Sequence, residues 1–439
     1  MDFTPIIFFV VILLLLLAGF PVAFTLGGAS IMFGIVVFGF DFFNLLPLRV
    51  WGIMSNYILI AVPLFIFMGV MFEKSGISEE LLETTALLFG KVRGGFGYAV
   101  LLVGVLMGAS TGIVGATVVT MGVLSLPVML KRGCDPDAAT GIIAASGTLG
   151  QIIPPSIVLV LLGSVLNVPI GDLFIGAVIP GFILVFFYFL WILYLSIFRK
   201  KAFPAMPVIE VAQFREKGKF KKILSTFLLP LLLVIAVLGT IFLGIASPTE
   251  AAAIGAIGAT MLTILRKKFS IKILKEVSQK TTWMTSMTFM ILVGASAFGL
   301  VFRGLHGDIY LKQLIMSANL DAHHFLMVVM IIIFIAGFFI DFIEIIFIIV
   351  PIVAPIFLHY QIDLLWVGIL IALNLQTSFL TPPFGFSLFY LKGVSPPEIT
   401  SGNLYRGIIP YVIIQILVLT IVALNPKLVT YLVVALRGL

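Results

Sequence analysis

Residues 144–156 read AASGTLGQIIPPS, and the stretch that starts 228 positions later, residues 372–384, reads ALNLQTSFLTPPF. Each stretch puts small or polar residues and a Pro-Pro pair inside an apolar segment. Proline removes a helix hydrogen bond and glycine lets the backbone unwind, so both stretches predict interrupted helices. The same offset superposes Pro127 on Pro355 and Asp135 on Asp363 without a gap. The chain therefore contains an internal repeat.

The segments around the two stretches are too apolar for a soluble protein. Of the 439 residues, 61% are hydrophobic and 10% are charged, whereas a soluble domain carries about 25% charged residues. The apolar runs 5–24, 223–243 and 325–357 meet the length of about 20 residues that a spanning helix needs. They are continuous, unlike the alternating strands of an outer-membrane barrel. We predict an all-α polytopic membrane protein.

Positive charge lies in the connections between apolar segments and predicts the topology. Basic residues concentrate in 199–222 and 266–280, which the positive-inside rule assigns to the cytoplasm. Counting spans outward from these places Lys91, Arg93, Lys131 and Arg132 inside as well. The neutral stretches 41–50 and 318–324 then fall outside. The turn at Lys131 and its repeat counterpart at His359 lie on opposite sides, which predicts an inverted-topology repeat.

These observations divide the chain into two arms and two repeat units. In each unit, an apolar stretch too long for one span and too short for two precedes the broken helix, which predicts a re-entrant hairpin. The first half comprises the N-terminal scaffold or arm helices, 1–94, and the first transport repeat, 95–198, with its hairpin at 95–130 and its broken helix at 134–167. A basic cytoplasmic linker, 199–222, leads to the second scaffold or arm helices, 223–324. The second transport repeat, 325–424, has its hairpin at 325–358 and its broken helix at 363–393, and a C-terminal tail, 425–439, follows.

Paired broken helices indicate a transporter's binding centre, because freed backbone groups are tolerated in a membrane only where they line a site. In the first unit the turn at 108–112 faces residues 146–151, and in the second the turn at 337–344 faces residues 374–378. Hydroxyls and loosened carbonyls are hard oxygen ligands that suit an alkali cation. Half-helix N-termini suit a carboxylate. The sequence therefore predicts cation and carboxylate binding at the two breaks.

Several of these residues also have a structural interpretation. Glycines allow close packing of membrane helices, and the Ser156 hydroxyl can bond to nearby backbone. Asp341 and Glu344 are costly in a bilayer and usually functional there, although they can also cap the hairpin break. Glu250 complements a helix dipole. Arg303 either snorkels to the interface or clamps a substrate carboxylate.

An enzyme is not indicated. The sequence has no G-x-x-x-x-G-K-[S/T] phosphate loop, its four histidines form no H-E-x-x-H pattern, and no Ser-His-Asp arrangement stands out. The single cysteine, Cys134, excludes an internal disulfide and fits no metal-ligand spacing. We expect no cofactor.

In these segments the sequence resembles the large, DctM-type membrane subunit of tripartite ATP-independent periplasmic (TRAP) transporters. The resemblance spans nearly the whole chain and rests chiefly on residues 147–156, 247–253 and 380–385, with the turn at 108–112 and the stretch 337–355. It implies sodium-driven import of a small organic anion in a bacterial or archaeal cytoplasmic membrane, by an elevator-like movement of a transport domain against a scaffold. It also implies two partners, a small membrane subunit and a periplasmic solute-binding protein.

Carried over residue by residue, the resemblance implies two sodium sites with the substrate between them. The first sodium site comprises Ser110, Thr111, Gly112, Gly147 and Gly150, and the second comprises Gly337, Asp341, Thr377 and Thr381. The substrate residues are Gln151, Ser156, Asn374, Pro382 and Gly385, beside the Pro382-Pro383 break. Many family members have proline in place of Gln151 and Val-Gly in place of Phe384-Gly385. This departure resembles a branch often associated with 2-oxo or hydroxy monocarboxylates.

Two other functions stay open. A stand-alone anion carrier or cation/proton antiporter would use the same repeat without a binding protein, with protons carried by Asp341 and Glu344. A membrane-embedded enzyme or an assembly subunit would show no solute flux. Two observations would distinguish the binding-protein-dependent importer from the stand-alone carrier. They are a requirement for an added binding protein and a dependence on sodium rather than on protons.

Overall fold

The computed structural model describes residues 3–89, 92–205, 220–317, 320–382 and 385–438. Lys91, Ala318, Pro383, Phe384 and most of the predicted 199–222 linker lie outside these ranges. Within the described ranges the chain forms helices and no strands. The prediction of an all-α fold is therefore confirmed.

Two groups of arm helices flank the first repeat unit. The first group comprises α1 (Thr4–Leu17), α2 (Val22–Phe38), α3 (Leu46–Met54), α4 (Tyr57–Lys74) and α5 (Ile77–Leu88). The first unit comprises α6 (Gly95–Thr111), α7 (Val114–Lys131), α8 (Pro136–Thr148), α9 (Ile157–Leu166) and α10 (Ile170–Phe198). The second group of arms comprises α11 (Phe220–Phe242), α12 (Pro248–Leu265), α13 (Ile271–Gly304) and α14 (Gly307–Ser317).

The second unit repeats the order of the first. It comprises α15 (Ala322–Ala336), α16 (Phe342–Ile348), α17 (Val350–His359), α18 (Leu364–Leu380), α19 (Phe386–Val394) and α20 (Ser401–Leu424). The chain ends with α21 (Lys427–Arg437). Among the described residues, six helices are long and apolar enough to cross a membrane, namely α4, α7, α10, α12, α13 and α20, and the bent pair α16 and α17 is a broken span or a re-entrant loop. The protein is a multi-pass membrane protein.

Each unit begins with a pair of antiparallel segments, which we call the first hairpin (α6 and α7) and the second hairpin (α15, α16 and α17). At the open end of the first hairpin, the guanidinium of Arg132 lies 5.4 Å from the ring centroid of Phe96. At the open end of the second, the rings of Phe325 and Tyr360 are 5.7 Å apart. Arg132 and Tyr360 occupy equivalent positions in the repeat, and each contacts an aromatic ring near the start of its hairpin. The second hairpin also bends by 49° between α16 and α17.

A broken helix follows each hairpin, and we call them the first broken helix (α8 and α9) and the second broken helix (α18 and α19). Both begin with an aspartate cap, since Oδ1 of Asp135 accepts from the Asp137 amide at 3.0 Å and Oδ1 of Asp363 from the Leu365 amide at 2.8 Å. After α8 a single 3₁₀ turn, Leu149–Gln151, leads into the Pro154-Pro155 break. The equivalent interruption after α18 begins at Thr381. Local sequence thus starts and stops these helices.

The two units contact each other through residues at, or one position from, equivalent places in the repeat. The Gln376 Nε2 donates to Thr148 Oγ1 at 3.4 Å, and these residues are 228 positions apart, the repeat offset itself. The Gln415 amide donates to the Tyr188 hydroxyl at 2.8 Å across 227 positions. Side-chain hydrogen bonds therefore join the two units between α8 and α18 and between α10 and α20.

Ion pairs between the arms lie on the side that the charge pattern assigns to the cytoplasm. Lys74 pairs with Glu276 at 3.1 Å and Lys280 with Glu73 at 3.0 Å, which joins the end of α4 to the start of α13. Arg266 pairs with Glu80 in the same region. These pairs hold the two groups of arm helices together near the predicted membrane surface.

The segment 425–439, which the sequence analysis treats as a tail, is largely helical. In α21, Val429 and Val433 are buried, and Arg437 Nε lies 2.9 Å from Asp172 Oδ1 of α10. Valines four positions apart give the helix an apolar side that packs on the bundle. The predicted C-terminal tail is thus a helix that packs against α10, a segment distant in sequence.

Candidate functional site

The turn of the first hairpin lies directly over the break in the first broken helix. Gly112, between α6 and α7, has a left-handed conformation with φ of 60°, which glycine adopts without strain. A β-carbon on Gly112 would lie 3.2 Å from the Ile157 amide nitrogen at the start of α9. A β-carbon on Gly108 would lie 2.7 Å from the Gly150 amide nitrogen. Only glycine lets the turn and the break approach this closely.

The residues predicted for the first sodium site converge at this contact. Gly147 packs against Val118 of α7, with a notional β-carbon 3.1 Å from the Val118 Cα. Ser110 and Thr111 are buried at the end of α6, and Gly112 and Gly150 are part of the turn–break contact. The structure therefore brings Ser110, Thr111, Gly112, Gly147 and Gly150 into one neighbourhood, and their role in binding sodium stays a prediction.

The oxygens at the first turn have the chemistry that an alkali cation requires. Ser110 Oγ donates its proton to the Leu106 carbonyl at 2.7 Å, which leaves its lone pairs available. Thr111 Oγ1 lies 2.8 Å from Thr117 Oγ1. Within the described residues, no backbone amide donates to the carbonyls at the end of α6 and in the turn, namely those of Ala109, Ser110, Thr111 and Gly112. This set of oxygens fits a sodium ion, and the part of the chain that the structure describes has no cluster of three metal-ligating His, Cys, Asp or Glu residues.

The turn of the second hairpin meets the end of α18 in an equivalent contact. A β-carbon on Gly337 would clash with the Ser378 side chain, at 2.7 Å from its Cβ. One turn further, the Phe342 and Phe379 rings are 6.1 Å apart. Ser378 corresponds to Gly150 in the repeat, and Gly337 lies one position after the counterpart of Gly108, so the two units join turn to break at nearly the same place. The second pair uses one glycine and one serine in place of two glycines.

Asp341 and Glu344 cap the start of α16. Asp341 Oδ1 accepts from the Phe342 amide at 2.7 Å, and Glu344 Oε2 accepts from the Asp341 amide at 3.2 Å. The Asp341 side chain also accepts from the Glu344 amide, which completes a capping box. Glu250 forms the same kind of box with Ser247 at the start of α12. Asp341, Glu344 and Glu250 therefore all have the structural role that the sequence analysis considered for them at a helix start. Asp341 also lies beside the turn of the second hairpin.

The threonines predicted for the second sodium site lie in consecutive turns at the end of α18. Thr377 Oγ1 donates to the Leu373 carbonyl at 2.8 Å, and Thr381 Oγ1 donates to the Thr377 carbonyl at 2.7 Å. Both hydroxyl oxygens keep lone pairs for a cation. Gly337 faces the neighbouring Ser378, so Gly337, Asp341, Thr377 and Thr381 belong to the second turn and break.

The predicted substrate residues fall into two groups. Gln151, Ser156, Pro382 and Gly385 lie in or beside the two breaks. Asn374 is one turn further back and donates to the Met330 carbonyl of α15 at 2.6 Å. Its amide therefore holds the second broken helix to its own hairpin. Pro383 lies outside the described residues.

Gln151 differs from its neighbours because nothing in the described chain satisfies its side chain. The residue is fully buried, and neither its Nε2 nor its Oε1 has a hydrogen-bond partner among the described residues. The backbone carbonyl of Gln151 accepts a bond from Ser156 Oγ at 2.6 Å, which fixes the turn after α8. A buried amide without partners costs free energy. Such a group points to a polar ligand in this part of the break.

Two residues that the sequence analysis did not assign to a binding site also belong to this region, Gln376 of the stretch 374–378 and Tyr390. Gln376 joins the two units through Thr148, and its Oε1 has no partner among the described residues. The Tyr390 ring of α19 packs against Gly115 of the first hairpin, 3.0 Å from a notional β-carbon there, and is close enough to Asp341 for an electrostatic interaction. Gln376 could have been found from the sequence, because it lies one repeat offset after Thr148. No sequence signal indicates Tyr390.

Each hairpin thus contacts both broken helices. The first lies against α8 of its own unit and α19 of the other, and the second against α18 of its own unit and α9 of the other. Residues 9–428 match the family described as "Tripartite ATP-independent periplasmic transporter, DctM component". The chain belongs to this family. It is a permease subunit of a transporter and not an enzyme, and the family resemblance read from the sequence is confirmed.

Relatives in this TRAP permease family transport different anions according to their names. The chain is 29% identical to the C4-dicarboxylate TRAP transporter large permease protein DctM of Pseudomonas aeruginosa, over 91% of each chain. It is 28% identical to the sialic acid TRAP transporter large permease protein SiaM of Vibrio cholerae, over 94% of each. It is also 28% identical to the isethionate TRAP transporter permease protein DctMQ of Oleidesulfovibrio alaskensis, over 94% of this chain and 64% of that protein.

Two solved transporters share the fold of this TRAP permease. The YdaH transporter of Alcanivorax borkumensis superposes with a TM-score of 0.63 at 14% identity, over 88% of this chain and 89% of that one. MtrF of Neisseria gonorrhoeae superposes with a TM-score of 0.54 at 11% identity, over 89% and 85%. At these identities the likeness concerns the fold alone.

Proposed function

We propose that this chain is the translocating subunit of a sodium-coupled importer of a small organic anion. The observation that carries the proposal is the pair of turn–break contacts, Gly108 with Gly150 and Gly337 with Ser378, in two units related by one offset. Each contact gathers hydroxyl and carbonyl oxygens where a helix has been interrupted. A cation bound at each turn would place positive charge on both sides of the space between the breaks. The substrate carboxylate would bind there, beside Gln151 and Ser156.

The proposed coupling follows from electrostatics. An organic anion is costly to bring into the low-dielectric interior of a bilayer bundle. Two sodium ions next to it would offset much of that cost, so substrate and cation would bind better together than separately. The second proposed sodium site contains the carboxylate of Asp341 as well as neutral oxygens. Because Asp341 lies in the second hairpin, sodium binding there would depend on the position of that hairpin.

The proposed movement is of elevator type, with the hairpins and broken helices moving as one body against the arms. In support, each hairpin packs on both broken helices, which joins the two units into one body. The arm helix α4 meets this body at Gly69, where a β-carbon would lie 3.0 Å from the Ser110 carbonyl oxygen. A contact made by glycine offers no side chain to obstruct sliding.

The proposed partners are a small membrane subunit and a periplasmic solute-binding protein, in the cytoplasmic (inner) membrane of a bacterium or archaeon. Family membership supports both partners. Within the family, the isethionate relative carries the double name DctMQ and is longer than this chain, which is consistent with the fusion of a second subunit. The substrate is proposed only as a small organic anion, because the relatives' names include dicarboxylates, sialic acid and isethionate.

Sodium binding is tested first by thermal unfolding of the detergent-purified chain, with sodium exchanged for choline at constant ionic strength. A ligand that binds only the folded state stabilises it by about 2.7 kcal/mol at a hundredfold excess over Kd. We expect a saturable, sodium-specific rise in Tm. A Tm that is indifferent to sodium would contradict the proposal.

The site itself is tested with Ser110→Ala, which removes one hydroxyl from the first turn. We expect the apparent sodium Kd to rise about tenfold, a loss of about 1.4 kcal/mol of binding. The matched control is Thr263→Val in α12, since Thr263 is fully buried and donates to its own helix at Ala259 with a distance of 2.8 Å. An equal shift in both variants would refute the assignment of Ser110.

A second candidate function is a proton-coupled carrier that needs no binding protein. The buried Glu344 beside Asp341 favours it, because a carboxyl pair can exchange protons. Uptake into proteoliposomes by this chain and the small subunit alone, driven by a pH gradient without sodium, would support this candidate. Uptake that requires sodium and an added binding protein would support the first.

A further inference from the structure

A cavity of about 220 Å³ lies where the arms meet the second hairpin. Its lining includes Arg49 and Ile53 of α3, Ser296 and Arg303 of α13, and Ile348 and Pro351 on either side of the bend between α16 and α17. The charge pattern of the sequence assigns this end of the molecule to the outside. The cavity is separate from both turn–break contacts and borders the hairpin that carries Asp341.

Two arginines face this cavity and neither has an ion-pair partner among the described residues. One acid, Asp308 of α14, also lines it, so the lining carries a net charge of one positive unit. Burial, followed by the positive charge of Arg303, lowers the pKa of Arg49. The two guanidinium groups are therefore close enough to repel each other. An anion between them would relieve that repulsion and accept several charge-assisted hydrogen bonds.

The structural interpretation of these arginines is incomplete. Arg303 lies in the last turn of α13, where a cation complements the helix dipole and can snorkel to the interface. That interpretation accounts for Arg303. It does not account for Arg49 in the middle of α3, which is brought to the same cavity and brings a second positive charge beside the first.

The size and chemistry of the cavity limit its occupant. Drug-sized ligands occupy pockets of about 300 to 1,000 Å³, and this cavity is smaller. Apart from the charged groups, its lining is mainly apolar and includes Leu292, Phe298 and Phe347. A molecule with one anionic head group and a short carbon skeleton fits this combination.

We propose that Arg49 and Arg303 form a docking site for the carboxylate or sulfonate group of a small organic anion, between the arms and the second hairpin, on its way to the breaks. This inference rests on the proposed transport function, for which it supplies an entry point. An anion held here would contact both the arms and the hairpin bend. Docking would therefore be sensitive to the position of the second hairpin.

The experiment measures the reaction of arginines with phenylglyoxal in the purified wild-type chain, resolved residue by residue by mass spectrometry. Labelling is carried out without sodium and without a binding protein, in choline salts of succinate, isethionate, pyruvate or lactate, against chloride at equal ionic strength. At an anion concentration about fourfold above Kd, mass action slows labelling roughly fivefold. We expect that slowing at Arg49 and Arg303 with at least one of the four anions, and none at the exposed Arg93.

Two results would overturn the proposal. One is labelling of Arg49 and Arg303 at the same rate in all four anions as in chloride. The other is protection only by phosphatidylglycerol in nanodiscs, which would identify a lipid headgroup as the occupant. Protection by a soluble anion in a chain that shows no sodium-dependent flux would support docking and contradict sodium coupling, so the two proposals fail separately.

Variants then connect docking with transport. We expect Arg303→Gln and Arg49→Gln to raise the KM for the anion roughly tenfold with little change in kcat, since they weaken capture before the translocation step. Arg303→Lys keeps the charge and should recover part of the loss. Lys312→Gln on α14, an exposed residue, removes one positive charge from the same end of the molecule and should leave the KM unchanged. An unchanged KM in both arginine variants would contradict the inference.

Discussion

At the scale of single residues, the buried amide of Gln151 shows how a binding position differs from a packing position. The other polar residues near the first break satisfy their hydroxyls through nearby backbone, as Ser156 does with the Gln151 carbonyl. The Gln151 side chain has no hydrogen-bond partner in the part of the chain that the structure describes, although it is fully buried. Folding alone would favour an apolar residue of the same volume here. Its presence is explained if the amide contacts a polar substrate.

Gln151→Met tests this explanation, because methionine has a similar volume and no amide. Removal of an unsatisfied buried group should raise the free energy of unfolding by about 1 kcal/mol or more. Transport by the reconstituted system should fall roughly tenfold, the equivalent of about 1.4 kcal/mol. Tm and uptake measured on the same preparation decide the matter. A variant that is less stable and equally active would show that the amide has a structural role.

Asp341 requires a different substitution, because it serves as a helix cap whatever else it does. Asparagine caps helices as well as aspartate, so Asp341→Asn should leave Tm in choline nearly unchanged. If the charge of Asp341 is needed for sodium, the sodium-dependent rise in Tm should be reduced. The control is Asp363→Asn, because Asp363 is also an aspartate cap, at the start of α18. This variant should retain the full sodium-dependent rise in Tm. A full rise in both variants would assign Asp341 to capping alone.

At the scale of secondary-structure elements, small residues decide where helices cross. Helices α8 and α20 meet at Gly141 and Gly407, where a β-carbon on Gly407 would lie 3.0 Å from the Gly141 amide nitrogen and closer still to the Asp137 carbonyl. Nearby, Arg406 Nε pairs with Asp137 Oδ2 at 2.9 Å. The obstacle on each side is backbone, which cannot rotate away. This crossing holds the first broken helix against the last helix of the second unit.

Gly407→Ala should therefore destabilise the protein by about 1 to 3 kcal/mol, the usual cost of overpacking. Gly402→Ala is the matched control in the same helix, since its β-carbon would have only an ordinary contact of 3.5 Å with Thr400. Alanine in place of an unobstructed helical glycine ordinarily stabilises by about 0.5 to 1 kcal/mol. Thermal unfolding should thus show shifts of opposite sign. Shifts of the same sign would mean that this crossing is looser than described.

At the scale of the whole molecule, the repeat makes a prediction about sidedness. Lys131 and His359 are both exposed, and both lie at the open end of a hairpin at equivalent positions. If the repeat is inverted, these ends lie on opposite sides of the membrane. The side of the membrane on which each hairpin end lies is predicted from the distribution of basic residues along the chain.

Single cysteines at these positions test the inversion in a Cys134→Ala background. We expect a membrane-impermeant maleimide, added to intact cells, to label His359→Cys but not Lys131→Cys. Permeabilised cells should allow both to be labelled, which controls for reactivity. Labelling of both positions from the same side of the membrane would exclude an inverted repeat.

The sequence by itself determined the features that depend on local chemistry. Apolar composition specified a helical membrane protein, because unpaired backbone cannot be exposed to lipid. Pro-Pro pairs and glycines specified where the helices break, and the 228-residue offset specified that the two units have the same plan. These features follow from the residues of each segment and require no knowledge of its neighbours.

Only the tertiary structure decided which segments meet. It placed α19 against the first hairpin and α9 against the second, and turned Asn374 toward Met330. It also left the Gln151 side chain without a partner among the described residues and brought Arg49 to the cavity that Arg303 lines. Each of these contacts joins segments that are distant in sequence. They depend on the simultaneous packing of many apolar side chains, in which a difference of one methyl group changes how closely two helices approach. No local pattern carries that information.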